Sequence, residues 1–318
     1  VTLPQQKATI FVPGGQLLSE LKVERFNVCL GGGSGAGKST GSVSFGGGEY
    51  GKIIYFLIEH GQLGGAGGAL PLKFLKGINE TIHEDEILVL SVASWGRMQA
   101  QFKWLCQNTQ RLYDEGYRVM VWDGITELAL MISDALQVQA PDTVSEKGAE
   151  QGRNIARTLV TDIDLVGGRE MVQSDYGLVG SRMRSAIKRA KWLPFTFIAT
   201  AQDGPLYDEN QSGEDAVPIG IGPALVGRKV VNRLLYAFDF YFHCDVLQTK
   251  TVDPSTKKLE ITQTYRWLTQ DQSRGKGNPP YFAKSRAGYA LEKYEKPDGR
   301  AMLSKLGFKP APMGQGGV

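Results

Sequence analysis

Residues 27–41 read NVCLGGGSGAGKSTG: a short apolar run gives way to glycine and ends in a lysine and two hydroxyls. Gly32, Gly37, Lys38 and Ser39 satisfy the pattern G-x-x-x-x-G-K-[ST]. Glycines let the backbone curl until several N–H groups point at one centre. A helix starting at Lys38 adds the positive end of its dipole. That geometry suits a phosphate chain, so the pattern predicts a nucleotide cradle of Gly32, Gly33, Ser34, Gly35, Ala36, Gly37, Lys38, Ser39 and Thr40. Lys38 is placed to reach the β- and γ-phosphates, and Ser39 to offer its hydroxyl to Mg²⁺.

Hydrolysis of a bound nucleotide also needs a group to orient the metal and a base for the attacking water. Asp123 ends the apolar strand VMVWD. A carboxylate at the C-terminal edge of a parallel sheet can hold the metal's water shell. The same residue can also cap the helix that begins GITELALMI. The next residue is Gly124, not glutamate, so the base must come from elsewhere. Glu59 ends a second strand in YFLIEHG, 21 residues after Lys38. An acid at the tip of an adjacent parallel strand would face the γ-phosphate.

The elements that must position these groups alternate along the chain. VERFNVCLG (23–31), KIIYFLIE (52–59), EILVLSVAS (86–94), RVMVWDG (118–124) and PFTFIATAQ (194–202) read as strands. Helical spacing runs over 97–116, where Met98, Phe102, Leu105 and Leu112 recur, and a basic helix spans 181–192. The alternation predicts a mostly parallel sheet covered by helices. Later, FDFYFHCDVLQT (238–249) and LEITQTYRWLT (259–269) flank VDPSTKK, which predicts a C-terminal β-hairpin extension. Segments 136–175 and 203–223 show no clear period and read as long loops. The glycine-rich helix after Lys38 is expected to be short.

In this order and spacing the chain resembles the RecA-like ATPases, which include RecA recombinases, DnaB-type helicases, KaiC and phage-encoded ATPases of recombination loci. The resemblance covers about residues 23–290. It implies an α/β fold of the RecA-like P-loop NTPase type, a lead segment at 1–22, and a tail at 291–318. It implies ATP with Mg²⁺ as ligands, the metal held by Ser39 and Asp123. IEHG is similar to the element whose glutamate is the catalytic base, which is Glu59 here. FIATAQDG is similar to the strand whose last polar residue senses the γ-phosphate, which points to Gln202, with Thr200 behind it. YFAKSRAG is similar to the DnaB-type motif that reaches a neighbouring subunit's nucleotide, so Lys284 and Arg286 take that role. SDYG, at 174–177, is similar to the opening of the helix before the sensor strand in the phage group. A homo-oligomer, ring or filament, follows from the resemblance, and so does action on single-stranded DNA in phage or bacterial recombination or replication. A nucleotide-dependent assembly protein and a helicase or packaging motor remain open readings.

Bulk properties narrow the classes. Net charge is only +3 over 318 residues, which is no strong nucleic-acid signature. Segment 136–175 carries seven acids (Asp142, Glu146, Glu150, Asp162, Asp164, Glu170, Asp175) against Lys147, Arg153, Arg157 and Arg169. Residues 203–230 carry five acids against Arg228 and Lys229. Phosphate neutralisation needs the opposite balance, and the bases gather instead at 182–191 and 284–309. Cys29, Cys106 and Cys244 have no paired spacing, and Cys29 and Cys244 lie in strand-like runs. They read as free thiols in a reducing compartment. No membrane-spanning run and no signal peptide is visible, so a cytoplasmic protein is expected, in a bacterium or a phage-infected host, with no membrane partner. The five tryptophans lie in or beside apolar runs and are expected in the core. The histidines show no metal-ligand spacing, and the segment KPAPMGQGGV offers nothing to pack, which suggests a neighbouring subunit as its support.

Overall fold

The computed structural model describes residues 25–58, 82–138, 173–208, 216–225, 231, 234–252, 259–272, 279–285 and 291–308. Its centre is a run of parallel strands. They are β1 (Asn27–Gly32), β2 (Lys52–Leu57), β3 (Ile87–Ser91), β4 (Tyr117–Asp123), β5 (Thr196–Tyr207) and β7 (Phe240–Val252), in the order β7-β1-β5-β4-β2-β3. β8 (Leu259–Leu268) extends the sheet antiparallel to β7, and β10 (Tyr294–Glu295) pairs antiparallel with β8. The mixed α/β class with a mostly parallel sheet and a late antiparallel hairpin is the one the sequence predicts.

Side chains alternate across a strand with period two, and here both faces are apolar because both are covered. Val28, Leu30, Ile53, Tyr55, Leu57, Val119, Val121, Ile198, Phe240 and Phe242 share one buried cluster. Cys29, Ile54, Phe56, Met120, Trp122, Phe197, Ala199 and Tyr241 share the other. The first face receives α1 (Lys38–Val43) and α6 (Gly299–Lys305); the second receives α2 (Trp95–Gln107), α4 (Ile125–Val138) and α5 (Gln173–Trp192).

The helices start and stop for local reasons. Ser94 caps α2, its hydroxyl accepting from Arg97 N at 3.2 Å. The single helix expected over 97–116 divides at Asn108, whose side-chain amide donates back to Trp104 O at 2.8 Å; α3 (Thr109–Asp114) then begins. Asp298 caps α6 through Arg300 N and Ala301 N. That N-terminus docks on the end of α1, where Gly299 N donates to Ser44 Oγ at 2.7 Å and Arg300 N to Ser44 O at 3.1 Å. Gly299 is required there, since a Cβ would lie 2.4 Å from Phe45 Cγ. Residues 291–308, placed at the head of the tail by sequence, thus bury Leu291, Met302 and Leu303 against the sheet. The KPAPMGQGGV segment lies outside the described residues.

Three expectations need correction. Residues 203–223 are not one irregular loop: β5 continues to Tyr207, and β6 (Pro218–Pro223) pairs antiparallel with its end. Gly222 makes that pairing possible, because a Cβ there would meet Leu206 Cδ1 at 2.8 Å. The basic helix is longer than 181–192 and begins at Gln173. Trp192 is not core: it is 69% exposed, with Lys188 Nζ 5.3 Å from its ring centroid. The hairpin turn expected after Val252 falls on 253–258, outside the described residues, although Val252 and Leu259 are in register on either side.

Trp267 joins the hairpin to the core. It is stacked between Phe45 (centroids 5.5 Å apart) and Phe242 (5.9 Å), and it fills the space that Gly41 leaves open. Trp267→Ala is expected to lower stability by about 3–5 kcal/mol, the range for large aromatic truncations. The urea unfolding midpoint measures it.

Candidate active site

The phosphate-loop sequence sits where parallel strands end. All six residues of β1 are buried, and the chain leaves the sheet at Gly32. Gly35 (φ 74°) and Gly37 (φ 80°) take left-handed conformations that other residues adopt only with strain. Gly37 closes the turn and caps α1, its carbonyl accepting from Gly41 N at 2.8 Å. A Cβ added at Gly33 or Gly35 would meet nothing within 4 Å, so this side of the loop faces open space. The other side is walled: a Cβ at Gly37 would lie 3.0 Å from Tyr265 Cδ1 of β8, and one at Gly32 2.8 Å from Cys244 O of β7.

Lys38 is 7% exposed, and its Nζ donates to Gly32 O and Gly33 O, both at 2.8 Å. A buried ammonium facing carbonyl dipoles is held in place but not neutralised, and an anion in the loop would supply the missing charge. The residues therefore fit a bound polyphosphate.

Asp123 is the centre of the site. It is 3% exposed and ends β4. Its Oδ1 accepts from Thr200 Oγ1 at 2.6 Å and from Ser39 Oγ at 3.1 Å, and its Oδ2 accepts from Tyr55 OH. The registers explain the convergence. Asp123 is paired with Leu57 on one side and Thr200 on the other, and Thr200 with Leu30. Tyr55, Asp123 and Thr200 then share the strand parity of Leu57, Val121 and Ile198, which face α1. The hard oxygens of Ser39 and Asp123, already in contact, fit Mg²⁺. Burial, with the neighbouring Asp123 charge, holds the Tyr55 hydroxyl far above the usual tyrosine range, so it stays a donor.

Gly124 has a structural cause. Its φ is 107°, and its N–H donates to Thr200 Oγ1 at 2.8 Å, which leaves the Thr200 proton for Asp123. A glutamate there would be strained.

The other predicted residues are distributed as follows. Gln202 is exposed at the level of Gly32, its register partner on β1, and its N–H donates to Thr126 Oγ1 at 3.0 Å. Lys284 lies on β9 (Lys284–Ser285), which pairs with β7; its Nζ donates to Leu235 O at 3.0 Å and Phe238 O at 2.8 Å of its own chain. Glu59 and Arg286 lie outside the described residues. Glu59 follows Ile58, whose N–H donates to Asp123 O at 3.1 Å. Sequence reasoning missed Tyr55 and Tyr265. The one signal for Tyr55 was a hydroxyl in an otherwise apolar run, two residues before the strand end.

The sequence pattern of one protein family, described as an AAA domain, matches residues 24–287. The chain belongs to the AAA domain family. It carries the phosphate-loop pattern at the end of β1 in a mostly parallel α/β sheet. Among curated proteins none matches it. Three solved structures are similar to this family member at low identity. A KaiC-like protein from Pyrococcus horikoshii is 11% identical over 77% of this chain and 85% of its own, with a TM-score of 0.31. Flagellar accessory protein FlaH from Methanocaldococcus jannaschii is 12% identical over 76% and 77%, with a TM-score of 0.29. The RadB recombinase is 12% identical over 77% and 87%, with a TM-score of 0.34. Among the described residues no helix of this AAA domain protein is long and apolar enough to cross a membrane.

Removing the Tyr55 donor leaves Asp123 Oδ2 under-satisfied. Tyr55→Phe should cost about 1–3 kcal/mol in urea unfolding, the penalty for a buried acceptor losing its partner. It should also change the alkaline limb. A tyrosine held above its unfolded value of about 10 stabilises the fold below that pH, and the contribution is lost as pH rises further. The fall in melting temperature above about pH 10 should therefore be shallower in Tyr55→Phe than in the wild type.

Proposed function

We propose that this AAA domain protein is a Mg²⁺-dependent ATP hydrolase that assembles as a homo-oligomer, ring or filament, and acts on single-stranded DNA in recombination or replication. The observation that carries the hydrolase reading is the Ser39–Asp123 contact, which ties the phosphate loop to the end of β4. Lys38 binds the β- and γ-phosphate oxygens. Ser39 and Asp123 would hold the metal and its water, and Mg²⁺ bound there would supply neutralisation of the charge developing on the phosphates. Thr200 and Tyr55 hold the Asp123 carboxylate in orientation. Glu59 takes a proton from the attacking water. Gln202, level with Gly32, contacts the γ-phosphate. Arg286 is supplied to the neighbouring subunit's nucleotide; Lys284, bound to carbonyls of its own chain, positions the strand that precedes it.

Support for a single-stranded nucleic-acid partner comes from two exposed rings, each accompanied by a lysine. Trp192 lies beneath Lys188, and Tyr236, 72% exposed, has Lys284 Nζ 5.6 Å from its centroid. Lys191 Nζ donates to Ala237 O, which brings the end of α5 to the segment carrying Tyr236. Stacking rings with adjacent cations suit bases and phosphates without sequence preference.

Nucleotide binding and steady-state turnover, with and without single-stranded DNA, test this reading. Lys38→Ala should abolish ATP binding. Glu59→Gln should retain binding while turnover falls by roughly 10²-fold, the size of a lost general base. DNA binding should weaken steeply with salt and be reduced by Trp192→Ala with Lys188→Ala. Undiminished turnover in Glu59→Gln would remove Glu59 from its role, and wild-type protein that binds no ATP would defeat the proposal.

A further inference from the structure

On the sheet face opposite the phosphate loop, α2 and α5 border a half-open cavity of about 590 Å³. The volume lies within the range of small-molecule sites. Two helical stripes line it. From α2, Trp95, Met98, Phe102 and Cys106 recur at helical spacing, with Lys103 beside them. From α5, Arg182, Ser185, Ala186 and Arg189 do the same. Residues at such spacing share one face of a helix, so each helix presents an ordered wall. The stripes also sort the basic helix: Arg182 and Arg189 turn to the cavity, and Arg184 and Lys188 do not line it.

The chemistry of the lining is one-sided. Lys103 and Arg189 bring two exposed positive charges, and among the described residues no carboxylate lines the cavity. Trp95 and Phe102 supply flat apolar surface. Trp122 is fully buried beneath them, and its Nε1–H has no acceptor among the described residues. A buried donor left without a partner is costly and uncommon.

We infer that this cavity binds a small aromatic anion, a planar apolar body bearing a phosphate or carboxylate, at a site separate from the nucleotide loop. The body lies against the Trp95 and Phe102 rings, and the anionic group meets Lys103 and Arg189 at the mouth. Both cations are exposed, so they can reach a ligand without the fold depending on them.

Cys106 reports on the site. It lines the cavity and is exposed, whereas Cys29 and Cys244, the other cysteines of the chain, are buried. The experiment measures the rate at which N-ethylmaleimide labels Cys106 in the full chain, with 1-naphthyl phosphate as probe. At about ten times its Kd the probe should slow labelling about tenfold, by occupancy alone. Inorganic phosphate and 1-naphthol, each half of the probe, should slow it little at the same concentration. The double variant Lys103→Gln, Arg189→Gln should label more slowly than the wild type without probe, because Arg189 favours the Cys106 thiolate; an unchanged urea unfolding midpoint shows it folded, and protection is read against its own probe-free rate. The variant should need roughly a hundredfold more probe for the same protection, as two charge-assisted contacts are lost. Protection should persist in Lys38→Ala. Unchanged labelling with the probe, equal protection in the double variant, or protection that disappears in Lys38→Ala would each overturn the inference.

Discussion

Three neutral hydroxyls converge on the carboxylate of Asp123, from Ser39 on α1, Tyr55 on β2 and Thr200 on β5. An uncompensated carboxylate at this depth would cost several kcal/mol. Each donor offsets part of that cost, and each stands on a different element. The requirement to satisfy one buried charge therefore fixes the seat of α1 on the sheet edge. It also sets how far the phosphate loop stands from the strand ends.

The antiparallel addition to the sheet serves the same loop from behind. β7 lies flush against Gly32, β8 sets Tyr265 against Gly37, and Trp267 fills the space left by Gly41. α6 closes the opposite end by docking on Ser44. A six-residue α1 has little stability of its own. Its position comes from these contacts, which lie more than 200 residues later in the chain. Gly32 and Gly37 are thus also positions where the late strands approach closely, whereas Gly35 faces open space.

The parts of this arrangement that were legible in the sequence are those with local causes. The phosphate loop shows as glycine because positive φ and close approach require it. Asp123 shows because an acid ends an apolar strand. Tyr55 was not legible as a site residue, since its role depends on the register of β2 against β4 and hence on which face receives α1. The continuation of β5 through DGPLY was hidden because its partner, PIGIGP, is itself rich in glycine and proline. The split at Asn108 was hidden for the opposite reason: apolar spacing continues across it, and only the side-chain bond to Trp104 O turns the helix. Arg182 and Arg189 were legible only as members of a basic helix, because their side of it is set by α2 standing opposite, which no local spacing shows.

The central claim is that Asp123 receives the metal that accompanies ATP, through its contact with Ser39. Titration calorimetry of ATP into the wild type and Asp123→Asn, each with Mg²⁺ and with chelator, tests it most directly. Asparagine keeps the shape: its Oδ1 can still accept from Thr200 and Ser39, and its amide can donate to the Tyr55 oxygen, while the charge is removed. The account predicts that Mg²⁺ strengthens ATP binding to the wild type and that this gain is largely lost in Asp123→Asn, with binding in chelator little changed. An equal Mg²⁺ dependence in the two proteins would contradict it.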